Sequence, residues 1–113
     1  MSIPKKIHYC WFGKNKMSKR LTSCIETWKS VMPDYQIICW DETNFDITSI
    51  PFVAEAYRAK KWAFVTDYVR LYALYIEGGI YLDTDVVVTK RFDNFLENDF
   101  FSAVEYHQSI IER

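Results

Sequence analysis

A chain of 113 residues, half of them apolar, 18% aromatic and carrying a formal charge of −1, has the length of one domain and the apolar content for a real core. That balance excludes intrinsic disorder. With no net positive field and no basic stripe interleaved with aromatics, it also excludes a nucleic-acid partner.

Lys6 to Phe12 is a nearly continuous apolar run ending at Gly13, the pattern of a strand buried on both faces in a parallel sheet. A polar turn follows, and Ser18 is placed to cap a helix running to about Met32, with Leu21, Cys24, Ile25 and Trp28 at helical spacing. Pro33 and Asp34 end it. Tyr35 to Trp40 reads as a second buried strand, which completes a βαβ unit, and Asp41-Glu42 is an acidic turn. Residues 44–51 read as loop and Phe52 to Lys60 as a short helix. The longest helix runs from Lys61 or Trp62 to Glu77. On a helical wheel Phe64, Val65, Tyr68, Val69, Leu71, Tyr72, Tyr75 and Ile76 form one broad apolar sector. The remaining third holds Ala63, Thr66, Asp67, Arg70, Ala73 and Glu77, so the expectation is a mostly buried helix with a narrow face bearing Asp67 and Arg70.

Gly78-Gly79 suits a helix C-cap, Ile80 to Leu82 a short buried strand, and Val86 to Thr89 another. Phe92 to Leu96 reads as a turn of helix or loop, and Phe100 to Tyr106 as a last apolar strand. No run reaches the length of a membrane span and no hydrophobic signal region follows Met1. The three cysteines, Cys10, Cys24 and Cys39, lack metal-like spacing and fit free thiols in a reducing cytoplasm.

Asp83 and Asp85 stand where the Ile80–Leu82 strand runs out, and strand alternation would put both side chains on one side. Two carboxylates ~5–6 Å apart repel by roughly 3 kcal/mol at an effective dielectric near 20. Mg²⁺ or Mn²⁺ would relieve that repulsion. A calcium loop of the EF-hand type is excluded, because its fifth and sixth positions would be Val87 and Val88, where an acid and a glycine are needed. In open α/β sheets ligands bind at the carboxyl ends of the strands. Trp11-Phe12, Trp40-Asp41 and Asp83 occupy those ends and would form one rim suited to a flat base and a metal-bound diphosphate.

Two blocks carry a family resemblance. Residues 3–13, Ile-Pro-Lys-Lys-Ile-His-Tyr-Cys-Trp-Phe-Gly, resemble the opening of sugar-binding Asp-x-Asp glycosyltransferases of the family 32 type, which includes capsular and cell-surface polysaccharide enzymes and yeast Golgi mannosyltransferases. Trp62-Ala63-Phe64-Val65-Thr66-Asp67-Tyr68-x-Arg70-Leu71, continuing through Gly78-Gly79-Ile80-Tyr81-Leu82-Asp83-Thr84-Asp85, resembles that family's central block. The resemblance implies an α/β fold of the GT-A, Rossmann-like type: a nucleotide-sugar-binding sheet flanked by helices. It implies transfer from a UDP- or GDP-sugar, with retention of configuration, to a glycan or lipid-linked acceptor. By the same resemblance Trp11 would stack on the base, and Asp67 and Arg70 would contact ribose, sugar or phosphate. Tyr81 would lie near the base or ribose, and Asp83 and Asp85 would hold Mn²⁺ or Mg²⁺ against the diphosphate.

Each assignment has a plainer competitor. Asp67 and Arg70 at i, i+3 also fit a surface ion pair, Trp11 and Tyr81 fit core packing, and mid-strand His8 reads as a satisfied structural histidine. Catalytic domains of this family are substantially longer, so residues 1–113 read as a single domain, the donor-binding half, located in the cytoplasm or at the inner face of the membrane. An exposed edge or apolar patch and self-association are expected where the rest would dock. The alternatives are a non-catalytic sugar-nucleotide-binding or interaction module and, needing more acids on the rim, a metal-dependent phosphohydrolase.

Overall fold

The computed structural model describes residues 3–92. The sequence-based expectations for residues 93–96 and for Phe100 to Tyr106 lie outside them. In order, the chain forms β1 (Lys6–Cys10), α1 (Lys19–Val31), β2 (Gln36–Trp40), a short 3-10 turn (Ile47–Ser49), α2 (Pro51–Arg58), α3 (Trp62–Glu77) and β3 (Ile80–Tyr81). The three strands are parallel in the order β2-β1-β3.

Register sorts the side chains onto two faces. Ile7 pairs with Ile37 on one side and Ile80 on the other, and these join Ile25, Trp28 and Met32 in the core beneath α1. One residue on, His8 pairs with Ile38 and Tyr81, which face α2 and α3 together with Cys10 and Trp40. Helices on both faces explain why the strands read as continuous apolar runs rather than alternating ones.

Local chemistry sets the element ends. Ser18 accepts a hydrogen bond from the Leu21 N–H at 3.3 Å and caps α1, as the sequence predicts. Pro51 stands in the first turn of α2, where its missing N–H costs nothing. After α3 the chain must turn back at once into β3. Gly79 takes φ +101° there, and a Cβ at this position would lie 2.6 Å from the Lys6 carbonyl oxygen, so the backbone of β1 and this turn touch.

Two expectations are corrected. The helix α3 buries a single line, Val65, Val69 and Ala73, while Leu71 and Tyr75 are 68% and 89% exposed and Phe64 and Ile76 are half exposed. A helix lying on a small sheet can bury only the stripe it rests on. Ala73 brings the backbone close, so a residue assigned to the polar third is in the core, and much of the apolar sector faces outward among the described residues. Val86 to Val88 is not a strand. Those residues run beside α1, where the Trp28 indole donates to the Val86 carbonyl at 2.8 Å and the Val88 N–H donates to the Thr27 hydroxyl at 2.9 Å, replacing ladder bonds.

Candidate functional site

The chain leaves β1 toward β2 on one side and returns through α2 and α3 to β3 on the other. The reversal of strand order therefore falls between β1 and β3, and the crevice outside their carboxyl ends is where an open parallel sheet binds ligands. A cavity of about 480 Å³ opens at that point. Cys10, Trp11 and Phe12 reach it from the end of β1, Asn15 from the loop, and Arg20 and Leu21 from the first turn of α1. Trp62, Ala63, Thr66, Asp67 and Arg70 line it from one face of α3, and Tyr81, Asp83, Thr84 and Asp85 from β3 and the turn beyond. All six residues singled out in the sequence, Trp11, Asp67, Arg70, Tyr81, Asp83 and Asp85, line this one cavity.

Its acidic edge is a turn rather than a strand. The Val86 N–H returns to the Asp83 carbonyl at 3.2 Å, so Asp83 and Asp85 are the first and third residues of a tight turn, both exposed, and strand alternation is not what brings them to one side. Arg70 ties α3 to this turn. Its guanidinium lies 4.8 Å above the Tyr81 ring, with Nη2 3.6 Å from Asp67 Oδ1 and 3.8 Å from Asp83 Oδ1. The i, i+3 pair expected of a plain surface is thus present, and the same arginine also spans to the acidic turn. At those distances and exposures each pair contributes at most ~1 kcal/mol, so the arrangement orients more than it stabilises. The Arg70 Nε is buried and has no hydrogen-bond acceptor among the described residues.

Beneath the cavity lie neutral groups. Burial is the largest influence on the Cys10 thiol, which is pushed up to about 12, and burial likewise raises the Tyr81 hydroxyl with which it shares a hydrogen bond. A thiol so held is not a nucleophile near neutral pH. Trp11 is half buried, and its indole N–H donates to the Asn15 carbonyl at 2.6 Å, which fixes the ring's orientation.

Two residues placed on the rim by strand order are elsewhere. Trp40 is buried, donates its indole N–H to His8 Nδ1 at 3.0 Å and packs edge-on to Tyr72, so it is core and not a stacking platform. Asp41 accepts from the N–H and hydroxyl of Thr43 and shapes the turn after β2. Asp41 is therefore not the extra rim acid that a phosphohydrolase reading looked for, and the third acid of the lining is Asp67, which faces Arg70. Among the described residues no three His, Cys, Asp or Glu side chains gather as a metal cage. A carboxylate pair alone suits Mg²⁺ or Mn²⁺, which keep waters and take further oxygens from a bound phosphate. Reading by motif missed Asn15, Arg20 and the role of Trp62 as wall. Trp62 opens the central block quoted above and carried a signal, whereas Arg20 sits in an ordinary helix first turn and carried none.

The sequence matches the family described as "Glycosyltransferase sugar-binding region containing DXD motif" over residues 18–101. It is 30% identical over 106 residues to an initiation-specific α-1,6-mannosyltransferase of Candida albicans, covering 85% of this chain and 28% of that protein. It is 30% identical over 99 residues to inositol phosphoceramide mannosyltransferase 3 of Schizosaccharomyces pombe, covering 84% and 28%. The chain thus spans less than a third of the length of these relatives. Among solved structures, PaToxG glycosyltransferase superposes with a TM-score of 0.60 at 23% identity, over 80% of this chain and 45% of that one, a likeness of fold. Asp67, Arg70, Tyr81, Asp83 and Asp85 fall inside the family region, and Trp11 precedes it.

Proposed function

The chain belongs to the glycosyltransferase family marked by an Asp-x-Asp sugar-binding region, with a GT-A-like α/β fold, and from that premise we propose that its cavity binds a nucleotide-diphosphate sugar for transfer to a glycan or lipid-linked acceptor. One observation carries the reading: an oriented indole, an Arg–Asp pair and the Asp-x-Asp turn come from three separate segments to one cavity at the sheet's switch point. Trp11 offers a flat face to the base, since its N–H is already engaged by Asn15. The Asp67 carboxylate accepts hydroxyls of ribose or sugar. Arg70, stacked on Tyr81 with an unused buried Nε, takes an oxygen of the phosphate or sugar. Asp83 and Asp85 hold Mn²⁺ or Mg²⁺, whose charge, when bound, offsets the negative charge gathering on the departing diphosphate. Retention of configuration, UDP or GDP as carrier, and action on a polysaccharide or lipid-linked acceptor complete the proposal.

The free thiols of Cys10, Cys24 and Cys39 suit a reducing cytoplasm, and among the described residues no helix is long and apolar enough to cross a membrane. The outward apolar face of α3, with Leu71 and Tyr75, supports self-association of the chain by itself.

Calorimetric titration of UDP- and GDP-sugars with and without Mn²⁺, on wild type and on Asp83→Ala/Asp85→Ala, tests the reading. Metal-dependent binding that disappears in the double variant is the expected result. Binding that ignores the metal and survives the substitutions would overturn the role of the Asp-x-Asp turn. Absence of binding under all conditions would favour a non-catalytic interaction module.

A further inference from the structure

The loop after β1 that carries Trp11 is held in a shape it would not take unaided. Gly13 has φ +99° and Lys14 has φ +63°, two successive left-handed residues, the second with a side chain that enters this region at a cost. Such a conformation persists when its surroundings over-determine it. Here the restraint comes from Trp62, on the cavity wall, and from Glu42 and Tyr57, which lie outside the cavity. The Gly13 N–H donates to Glu42 Oε2 at 2.6 Å, and the Tyr57 hydroxyl donates to the same oxygen at 2.9 Å. The Tyr57 ring stands edge-on to Trp62 at 5.3 Å, and the Trp62 ring lies so close over Gly13 that a Cβ there would sit 2.9 Å from it. Glu42, Tyr57, Trp62 and Gly13 thus close a circuit joining the turn after β2, α2, α3 and the loop.

We propose that Glu42 is a positioning residue: its carboxylate clamps residues 11–15 against α2 and α3 and so presents the face of Trp11 to the nucleotide base. Glu42 does not line the cavity, so it acts through the loop and not on the ligand. One carboxylate oxygen receiving two donors forms stronger bonds than a neutral acceptor would, which accounts for an acid in this place. The electrostatics agree. Burial opposes the charge on Glu42, but the Gly13 and Glu42 N–H groups and the Tyr57 hydroxyl outweigh it and hold the carboxyl below its ordinary range. The inference rests on the donor-site reading for its purpose, and on the circuit alone for its mechanics.

The test uses the four indole N–H signals in ¹H–¹⁵N spectra of wild type, Glu42→Gln and Tyr57→Phe. Trp28 and Trp40, bonded to Val86 and His8, serve as internal reporters of global folding. The expected result in both variants is exchange of the Trp11 indole proton about tenfold faster, with Trp28 and Trp40 unchanged. Nucleoside-diphosphate affinity should fall by about threefold to tenfold in parallel. Unchanged Trp11 exchange would overturn the clamp, as would equal acceleration at all the indoles, which reports general loosening. Faster Trp11 exchange with undiminished nucleotide affinity would also overturn the positioning role. A wild type that binds no nucleotide would overturn the donor reading, while the indole pattern still decides the clamp.

Discussion

His8 makes the folded chain sensitive to mild acid. It is wholly buried in β1, accepts from the Trp40 indole at Nδ1 and donates from Nε2 to the Gly78 carbonyl at 2.7 Å. An indole only donates and a carbonyl only accepts, so the neutral ring with its proton on Nε2 satisfies both partners. A second proton would have to enter at Nδ1, against the Trp40 N–H. Burial is the main cause of a lowered pKa, opposed by the Gly78 carbonyl and Glu77 and reinforced by Lys6. The unfolded chain therefore takes up a proton near 6.5 that the native state refuses until lower pH. The unfolded state binds more protons throughout that window. Stability is complete above about pH 7 and is lost as pH falls, by up to ~1.4 kcal/mol per unit, until the native ring also protonates. The depressed carboxyls, Asp34 (held near 2 by Arg91 and Lys5), Glu42 and Glu77, titrate below this range. Urea denaturation followed by tryptophan fluorescence between about pH 8 and 5.5, on wild type and His8→Gln, measures the effect. The variant leaves at least one buried partner unsatisfied and should be ~2–4 kcal/mol less stable at pH 8, with a flatter pH profile. His107 is present in both proteins and cancels in the difference. A wild-type minus variant difference independent of pH would refute the reasoning.

Gly79→Ala should cost about 3 kcal/mol or more, seen as a fall in Tm, because its Cβ would meet the Lys6 carbonyl at a φ of +101° and backbone cannot step aside. Ser18→Ala removes the α1 cap and should lower the urea midpoint by an amount equivalent to ~1 kcal/mol with the m-value unchanged. Arg70→Lys keeps the charge but loses the plane over Tyr81 and the reach to two carboxylates. Stability should move by less than ~1 kcal/mol, while nucleoside-diphosphate affinity by calorimetry drops by about tenfold. Sedimentation velocity should show concentration-dependent association of the wild type that Leu71→Glu/Tyr75→Glu abolishes.

Much of this was legible because local rules agreed with the fold. The apolar runs at β1 and β2, the Ser18 cap and the paired glycines after α3 each name their element by themselves. The face of α3 bearing Ala63, Thr66, Asp67 and Arg70 was also separable by periodicity, and that face lines the cavity. Burial was harder. A wheel counts apolar side chains and does not know how wide a supporting surface is, so Ala73 and Leu71 exchanged places. Trp40 misled for a related reason: strand direction carries a residue to the rim, but pleat decides whether its ring turns inward to meet His8. Val86 to Val88 has strand composition, yet its polar backbone groups found side chains of α1 instead of a neighbouring strand. Glu42 was invisible as anything but a turn acid, since its two donors lie 29 residues before it and 15 after it.

The placement of β1 between its partners has a consequence for how the chain is made. Ile7 must find Ile37 and Ile80, which are 30 and 73 positions further along. A ribosome delivering this sequence can release β1, α1 and β2 as a βαβ unit, but the second edge of β1 stays open until residue 81 has cleared the exit tunnel. Through that interval the central strand of the finished sheet is an edge strand, with free amide and carbonyl groups ready for any extended segment nearby. The two-residue strand β3, the shortest element among the described residues, is therefore the one whose arrival ends the vulnerable period, and in the same moment it closes the cavity floor with Tyr81.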